Sequence, residues 1–377
     1  MRLLYLVSHP IQYQAPLLRL IAAEPDIQLR VLFERIDQSG SFHDPGFDVE
    51  ITWDGDLLSG YEHHHVTSER AMERHLLDAD VLWVHGWDSS LKRRALDLAR
   101  RCAVPVLMRG ENTMAAMPDG WGPRGILKRL YLSRIFLRCA GYLCVGSDNR
   151  EYYRIHGVAD AQLHHMPYAV DNEAFARSDE DLQNRLRLEL GLEPDRLVVL
   201  FAGKLLRRKN PVLLLEAMQR INHEAAGCPY LLFVGDGEEA GRLRKLAHGL
   251  DWVKFLGFQN QGALPSIYAL SDVFVLPSQR EPWGLAVNEA MAAGTAVIST
   301  DECGCSADLV DDSVGRVIPA YDGPALVAAL EDILSDRSAC RELGEAAKRR
   351  IASWSFAEDV AGLRSALQAV GGAPPRA

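Results

Sequence analysis

The amino-acid sequence predicts an α/β protein made of two successive doubly wound units. Three observations carry that expectation. A chain of 377 residues suits two ordinary domains. Short apolar runs alternate with charged stretches of helical period, the pattern of parallel strands covered on both faces by helices. That series occurs twice, separated by a polar stretch at 174–195 in which Glu193-Pro194 breaks any regular run. In such sheets ligands sit beyond the carboxyl ends of the strands, so a cleft between two facing units is the expected site.

The elements follow in order. Residues 1–7 are an apolar run ending at Ser8-His9-Pro10, a strand and its exit loop, and Pro16 opens a helix-period segment through Ile21. Further strands are expected at 28–33, 80–84, 104–108 and 142–145, with 91–101 among the intervening helices. In the second series the strands are 197–201, 230–234, 253–256, 272–276 and 296–300, with helices opening near Pro211, Glu239, Leu285, Pro324 and Ser338. The domains are therefore expected at 1–175 and 190–352, with 353–377 a final helix and tail that packs back on the first.

Composition narrows the function. An apolar fraction of 48% with 24% charged residues belongs to a globular chain, and a net charge of −10 opposes general nucleic-acid binding. No apolar run reaches the ~18 residues needed to span a membrane, and the first apolar stretch is short for a signal peptide, so the expected place is the cytoplasm. Seven scattered cysteines read as reduced thiols. Cys303 and Cys305 lack a second pair, and His63-His64-His65 and His164-His165 lack supporting carboxylates, so no metal site is expected. P-loop, nucleophile-elbow and zincin motifs are absent from the sequence.

Three segments carry chemistry. In Pro277-Ser-Gln-Arg-Glu281-Pro-Trp283-Gly284, a strand ends, a loop presents Glu281, and Gly284 opens a helix bearing Glu289. The first N–H groups of that helix, at Gly284, Leu285 and Ala286, are a phosphate seat, and a carboxylate accepts hydrogen bonds from a vicinal diol. Read singly, Glu281 is equally a helix-start acid and Glu289 a solvated helix residue. In Gly203-Lys204-Leu-Leu-Arg207-Arg208-Lys209-Asn-Pro211, four cations crowd a strand exit of an acidic protein; they suit a diphosphate or form a solvated basic turn. Gly235-Asp236-Gly237 follows the next strand but departs from the dinucleotide fingerprint, since the third glycine falls at Gly241.

In combination these segments resemble a glycosyltransferase of family 4, with the GT-B architecture of two facing Rossmann-like domains. Glu281 and Glu289 enclose seven residues, the E-x7-E pattern, and Phe255-Leu-Gly-Phe258, the run from Tyr268 to Ser278 and Trp354-Ser-Phe356 extend the likeness over 197–356. The resemblance implies retaining transfer of a sugar from a nucleoside diphosphate sugar, which serves as co-substrate, with no metal or other cofactor. It implies that the second domain holds the donor through Gly203, Lys204, Lys209, Gly235, Asp236, Gly237, Phe255, Glu281, Trp283, Gly284, Leu285, Ala286 and Glu289. Lys204 and Lys209 would meet the diphosphate, Glu281 the sugar and Glu289 the ribose. Lys204 stands where the family usually has Arg, which loses a bidentate fork, and Gly304-Cys-Ser-Ala-Asp308 departs from the family's glycine pair and Pro-Glu.

The first domain would take a glycan, lipid-linked or small-molecule acceptor, and departs further from the family. Where a His is common, this chain has Arg109-Gly-Glu111-Asn112. Arg109 and Glu111 at a strand end bind a charged acceptor, assist proton transfer or form a structural ion pair. His9, Gln12, Gln14 and Asn112 are expected on the same acceptor side. The stretch 121–138, opened by Trp121 and closed by Arg138, holds five cations and no acid at amphipathic spacing. It offers a peripheral contact at the inner face of a membrane, or covers the sheet with a solvated basic face. An epimerase or a non-catalytic sugar-nucleotide binder of the same fold remains the alternative.

Overall fold

A computed structural model describes residues 1–36, 42–44, 49–120, 122–221 and 228–371. In chain order the elements are β1 (Arg2–Val7), α1 (Ala15–Ala23), β2 (Gln28–Phe33), β3 (Phe42–Asp44), β4 (Val49–Ile51), β5 (Glu62–His65), α2 (Glu69–Leu76), β6 (Val81–His85), α3 (Ser90–Arg101), β7 (Val106–Arg109), α4 (Pro123–Phe136), β8 (Gly141–Cys144), α5 (Ser147–Ile155), β9 (Leu163–His165), α6 (Asn172–Ala176) and α7 (Glu180–Leu190). There follow β10 (Val198–Ala202), α8 (Pro211–Ile221), β11 (Tyr230–Val234), α9 (Ala240–Leu246), β12 (Val253–Gly257), α10 (Leu264–Leu270), β13 (Val273–Leu276), α11 (Leu285–Ala292), β14 (Ala296–Thr300), α12 (Ser306–Leu309), β15 (Gly315–Ile318), α13 (Gly323–Leu334), α14 (Arg337–Ile351) and α15 (Phe356–Gly371).

The chain divides into two compact α/β units, each with a Rossmann-like parallel sheet. The first comprises Met1–Phe42, Gly55–Tyr168 and the segment from Phe356; the second comprises His43–Asp54 and Ala169–Ser355. Two features differ from the sequence expectation of a division near 175–190. The dividing point falls after Tyr168, and residues 43–54 belong to the second unit. There Asn260 donates to the Thr52 carbonyl at 2.9 Å and Gly262 N–H to Asp54 at 2.8 Å. The polar stretch taken to separate the two series also contains α7, capped by Asp179 and closed by Gly191 at φ 63°. Its charged composition concealed a helix that buries no residue fully.

In the first unit the strand order is β5-β2-β1-β6-β7-β8-β9. Apolar side chains fill both faces. Leu4, Leu6, Leu82 and Met108 meet α2 to α5 on one side; Leu3, Tyr5, Trp83 and Leu143 meet α1 and Leu363, Ala366 and Leu367 of α15 on the other. Gly362 lets α15 approach closely, since a Cβ there would stand 2.0 Å from the His165 carbonyl oxygen. In the second unit the order is β12-β11-β10-β13-β14-β15. Each order reverses direction once, between β1 and β6 and between β10 and β13, and at such a point the exit loops diverge and leave a crevice at the strand ends.

Candidate functional site

In the second unit the charged residues meet where the strand order reverses. The loop after β10 makes a short 3-10 turn at Arg207–Lys209, and Asn210 at φ 49° turns the chain into α8. Asn210 donates to the Pro277 carbonyl at 3.0 Å and accepts from Gln279 at 2.8 Å, joining this loop to the one after β13. Arg208 and Lys209 are thereby held over Glu281, at 2.8 Å and 3.0 Å from Oε2. Burial pushes the Glu281 carboxyl up, but the two cations outweigh it and hold the group below the usual range. Its backbone is fixed as well: Glu281 N–H donates to the Glu302 carbonyl and its own carbonyl accepts from Gly304, both at 3.0 Å.

The glycines around this site allow close backbone approach. Gly235 has φ 118°, and a Cβ there would lie 2.0 Å from the Gly203 carbonyl oxygen. Gly284 has φ 100° and turns the chain into α11, whose first N–H groups at Leu285 and Ala286 have no acceptor within the helix. Glu289, partly buried on α11, accepts from the Tyr268 hydroxyl at 2.7 Å. Lys204 lies partly buried in the loop after β10. Asp236 accepts from Gly237 N–H at 2.8 Å and faces Arg244 at 3.5 Å, while Arg244 also covers the ring of the partly buried Phe255. Arg207 is drawn away to Glu239 at 3.1 Å.

Trp283 is 2% exposed, stacks on Trp354 and donates its indole N–H to Asn288 at 2.9 Å, so its polar atom is engaged within the fold.

The first unit also gathers polar groups at its reversal point. His85 ends β6, and its Nδ1 lies 3.0 Å from the Tyr5 hydroxyl, which donates to Gln14 at 2.9 Å. On the other side His85 Nε2 is 3.4 Å from Glu111 Oε1, the oxygen to which Tyr168 also donates. Burial pushes the Glu111 carboxyl up, and His85, Tyr168 and Arg109 together bring it below its usual range. At 2% exposure the Arg109 guanidinium faces Asp359 of α15 at 3.2 Å and donates to the Met166 and Pro167 carbonyls, the geometry of the structural ion pair among the sequence alternatives. Asn112 is turned to Met117 and holds Asn149 through its carbonyl, and His9 pairs with Ser8 at 2.9 Å. The nitrogen of the Gln12 amide is buried and has no partner among the described residues.

Sequence reasoning missed His85, Tyr5 and Tyr168, which stand in no motif and meet only through strand order. It counted Arg208 as one of four cations without assigning it to Glu281, and only the Asn210 turn reveals that pairing. Among the described residues no group of three potential metal-ligating side chains occurs, and no helix is long and apolar enough to cross a membrane. Trp121 lies outside the described residues. In α4, Ile126, Leu127, Leu130 and Tyr131 are each about half exposed or more. Cations of α4 and of the turn after it are partly answered by acids from elsewhere: Lys128 and Arg129 pair with buried Asp119 at 3.3 Å and 2.7 Å, and Arg138, past the helix end, with Asp97 at 3.1 Å.

Residues 183–350 match the family model described as glycosyl transferases group 1. The D-inositol 3-phosphate glycosyltransferase of Xylanimonas cellulosilytica is 30% identical over 301 residues, covering 75% of this chain and 69% of that protein. Alpha-D-kanosaminyltransferase of Streptomyces kanamyceticus is 29% identical over 178 residues, 46% of each chain. Over several such curated relatives the chain spans about half of their length. Among solved structures, Anabaena HepE in complex with UDP superposes with a TM-score of 0.76 at 14% identity, covering 98% of this chain and 100% of that one. Sucrose-phosphate synthase from Thermosynechococcus elongatus gives 0.72 at 20% identity, covering 98% of each. The likeness to these structures is one of fold, GT-B.

Proposed function

The chain belongs to the group 1 glycosyl transferases, and on that premise we propose that it moves a sugar from a nucleoside diphosphate sugar to a glycan, lipid-linked or small-molecule acceptor, with retention of configuration and without a metal. The observation that carries this reading is the placement of Arg208 and Lys209 against buried Glu281 where the strand order reverses. A diphosphate arriving there competes for the cations, and the carboxylate they release is free to accept from sugar hydroxyls. Lys204 and Lys209 stabilise the departing diphosphate, assisted by the first N–H groups of α11, as charge develops on it. Glu289 takes the ribose, and the backbone at Gly203, Gly235 and Gly237 admits the nucleotide beside Asp236 and Phe255. The cations supply the charge that a metal would otherwise bring, so turnover is expected to persist in EDTA.

The first unit takes the acceptor at the ends of β1, β6 and β7. The exposed apolar residues of α4 give it a peripheral contact with a membrane, which suits a lipid-linked acceptor, at the cytoplasmic face. Because Lys128 and Arg129 of α4 and Arg138 just beyond it are already paired, binding to anionic vesicles should depend on Leu127 and Leu130 more than on salt; co-sedimentation of Leu127→Ser with Leu130→Ser tests this, and unchanged binding contradicts it.

The direct test of donor use is a thermal-shift series with UDP-, GDP-, ADP- and dTDP-sugars, followed by donor turnover in EDTA. Ligand at about a hundred times its dissociation constant adds about 2.7 kcal/mol of stability. A shift with one base followed by sugar release supports the reading. No shift with any of them, or turnover abolished by EDTA and restored by magnesium or manganese, contradicts it.

A further inference from the structure

The polar cluster of the first unit leaves one strong hydrogen-bonding group open. Glu111 Oε1 is engaged by the Tyr168 hydroxyl and lies 3.4 Å from His85 Nε2. Among the described residues nothing is bonded to its second oxygen, and the side chain is 30% exposed. The first oxygen is set by a chain of donors. Since the Tyr168 proton goes to Glu111, the Tyr13 hydroxyl, 2.6 Å from that of Tyr168, donates to it. His85 is oriented from behind by Tyr5, so its Nε2 faces the carboxylate, and Tyr5 is itself held by Gln14. The carboxylate is thus fixed in direction with one oxygen turned to a ligand.

The surrounding chemistry says which ligand. A carboxylate oxygen accepts hydrogen bonds and repels anions. Arg109, the guanidinium whose charge acts on Glu111 among the described residues, is 2% exposed and paired with Asp359, so it offers no accessible fork for a phosphate or carboxylate. A hydrogen-bond donor that carries no negative charge meets these demands, and the neighbouring hydroxyls of a sugar or cyclic polyol do so.

We propose that Glu111 binds the hydroxyls of a neutral sugar or polyol through its open oxygen, with His85 as the positioning residue that holds the carboxylate. The proposal rests on the transferase reading and names the chemical class of the acceptor group that the first unit recognises: a hydroxyl-bearing ring without negative charge at the point of contact, whatever charge the acceptor carries elsewhere.

Saturation-transfer NMR on the full chain tests it, with methyl α-D-glucopyranoside, myo-inositol and glucose 6-phosphate as probes. Wild-type protein is expected to bind at least one of the neutral probes more tightly than the phosphate. Glu111→Gln and His85→Ala should each weaken that binding roughly tenfold, as expected when a hydrogen bond to a charged group is lost or misdirected. His85→Gln, whose amide can fill the same place and donate to Glu111, should restore most of it. All three variants should melt cooperatively as folded proteins and keep the nucleotide-induced shift, because donor contacts lie in the other unit. Failure of both neutral probes to bind, equal binding by Glu111→Gln, or preference for glucose 6-phosphate overturns the proposal. Polyol binding of the expected pattern in a protein that answers to no nucleotide sustains the Glu111 site and removes the transferase reading instead.

Discussion

Glu289 shows how burial sets a working pH. The carboxyl is pushed up to about 7 by burial, with the Tyr268 hydroxyl pulling the other way through its hydrogen bond. Because the folded value exceeds the unfolded one, the folded state binds more protons between about 4.5 and 7, and this group's contribution to stability falls as pH rises through that window. The proposed ribose contact runs the other way, since a diol donates best to the ionised form. The KM for donor is therefore expected to fall as pH rises from 6 to 8 and to level off above 7, and the slope should vanish in Glu289→Gln. Tyr268→Phe should move the midpoint to higher pH, because the hydroxyl favours the charged form. Initial rates across that range decide it, and a flat wild-type profile contradicts the ribose role. The seven-residue interval between Glu281 and Glu289 was legible in the sequence because both lie in one strand-loop-helix segment. His85 was not, because a lone histidine at the end of an apolar strand acquires meaning only from its neighbours in the sheet.

At the level of elements, α15 depends on one buried pair. Arg109 leaves β7 and meets Asp359 at 3.2 Å, with both side chains almost wholly buried. Burial pushes the Asp359 carboxyl up to about 6 although Arg109 opposes it. Removing one partner strands the other charge in the interior, so Arg109→Ala or Asp359→Ala should cost about 3–5 kcal/mol. Replacing both together, Arg109→Met with Asp359→Leu, should recover most of that loss. Urea unfolding midpoints of the three variants check this, and equal loss in the double variant contradicts it. The strand end carrying Arg109-Gly-Glu111 was visible in the sequence, yet the division of labour within it was not. Arg109 faces a residue 250 positions away, and nothing in either local sequence marks the pair. The helix α7 was hidden for a different reason, since its apolar positions are too few to give a periodic signal.

For the whole molecule, the two parallel sheets were legible because strands buried on both faces must be almost continuously apolar, as β1, β10 and β13 are. The assignment of residues 43–54 to the second unit was not, since it rests on contacts of Thr52 and Asp54 with the loop after β12. Under the proposed function, the cluster of Glu281, Arg208 and Lys209 acts on a nucleoside diphosphate sugar as its diphosphate leaves. Steady-state turnover of Glu281→Gln and Lys209→Ala at saturating donor, with melting temperatures alongside, tests it most directly. Loss of one such contact should lower kcat by a factor of about a hundred to a thousand, or about 2.7–4 kcal/mol, with the fold intact. If both variants melt like the wild type and keep more than about a third of its turnover, these residues do not act in the transition state and the claim is contradicted.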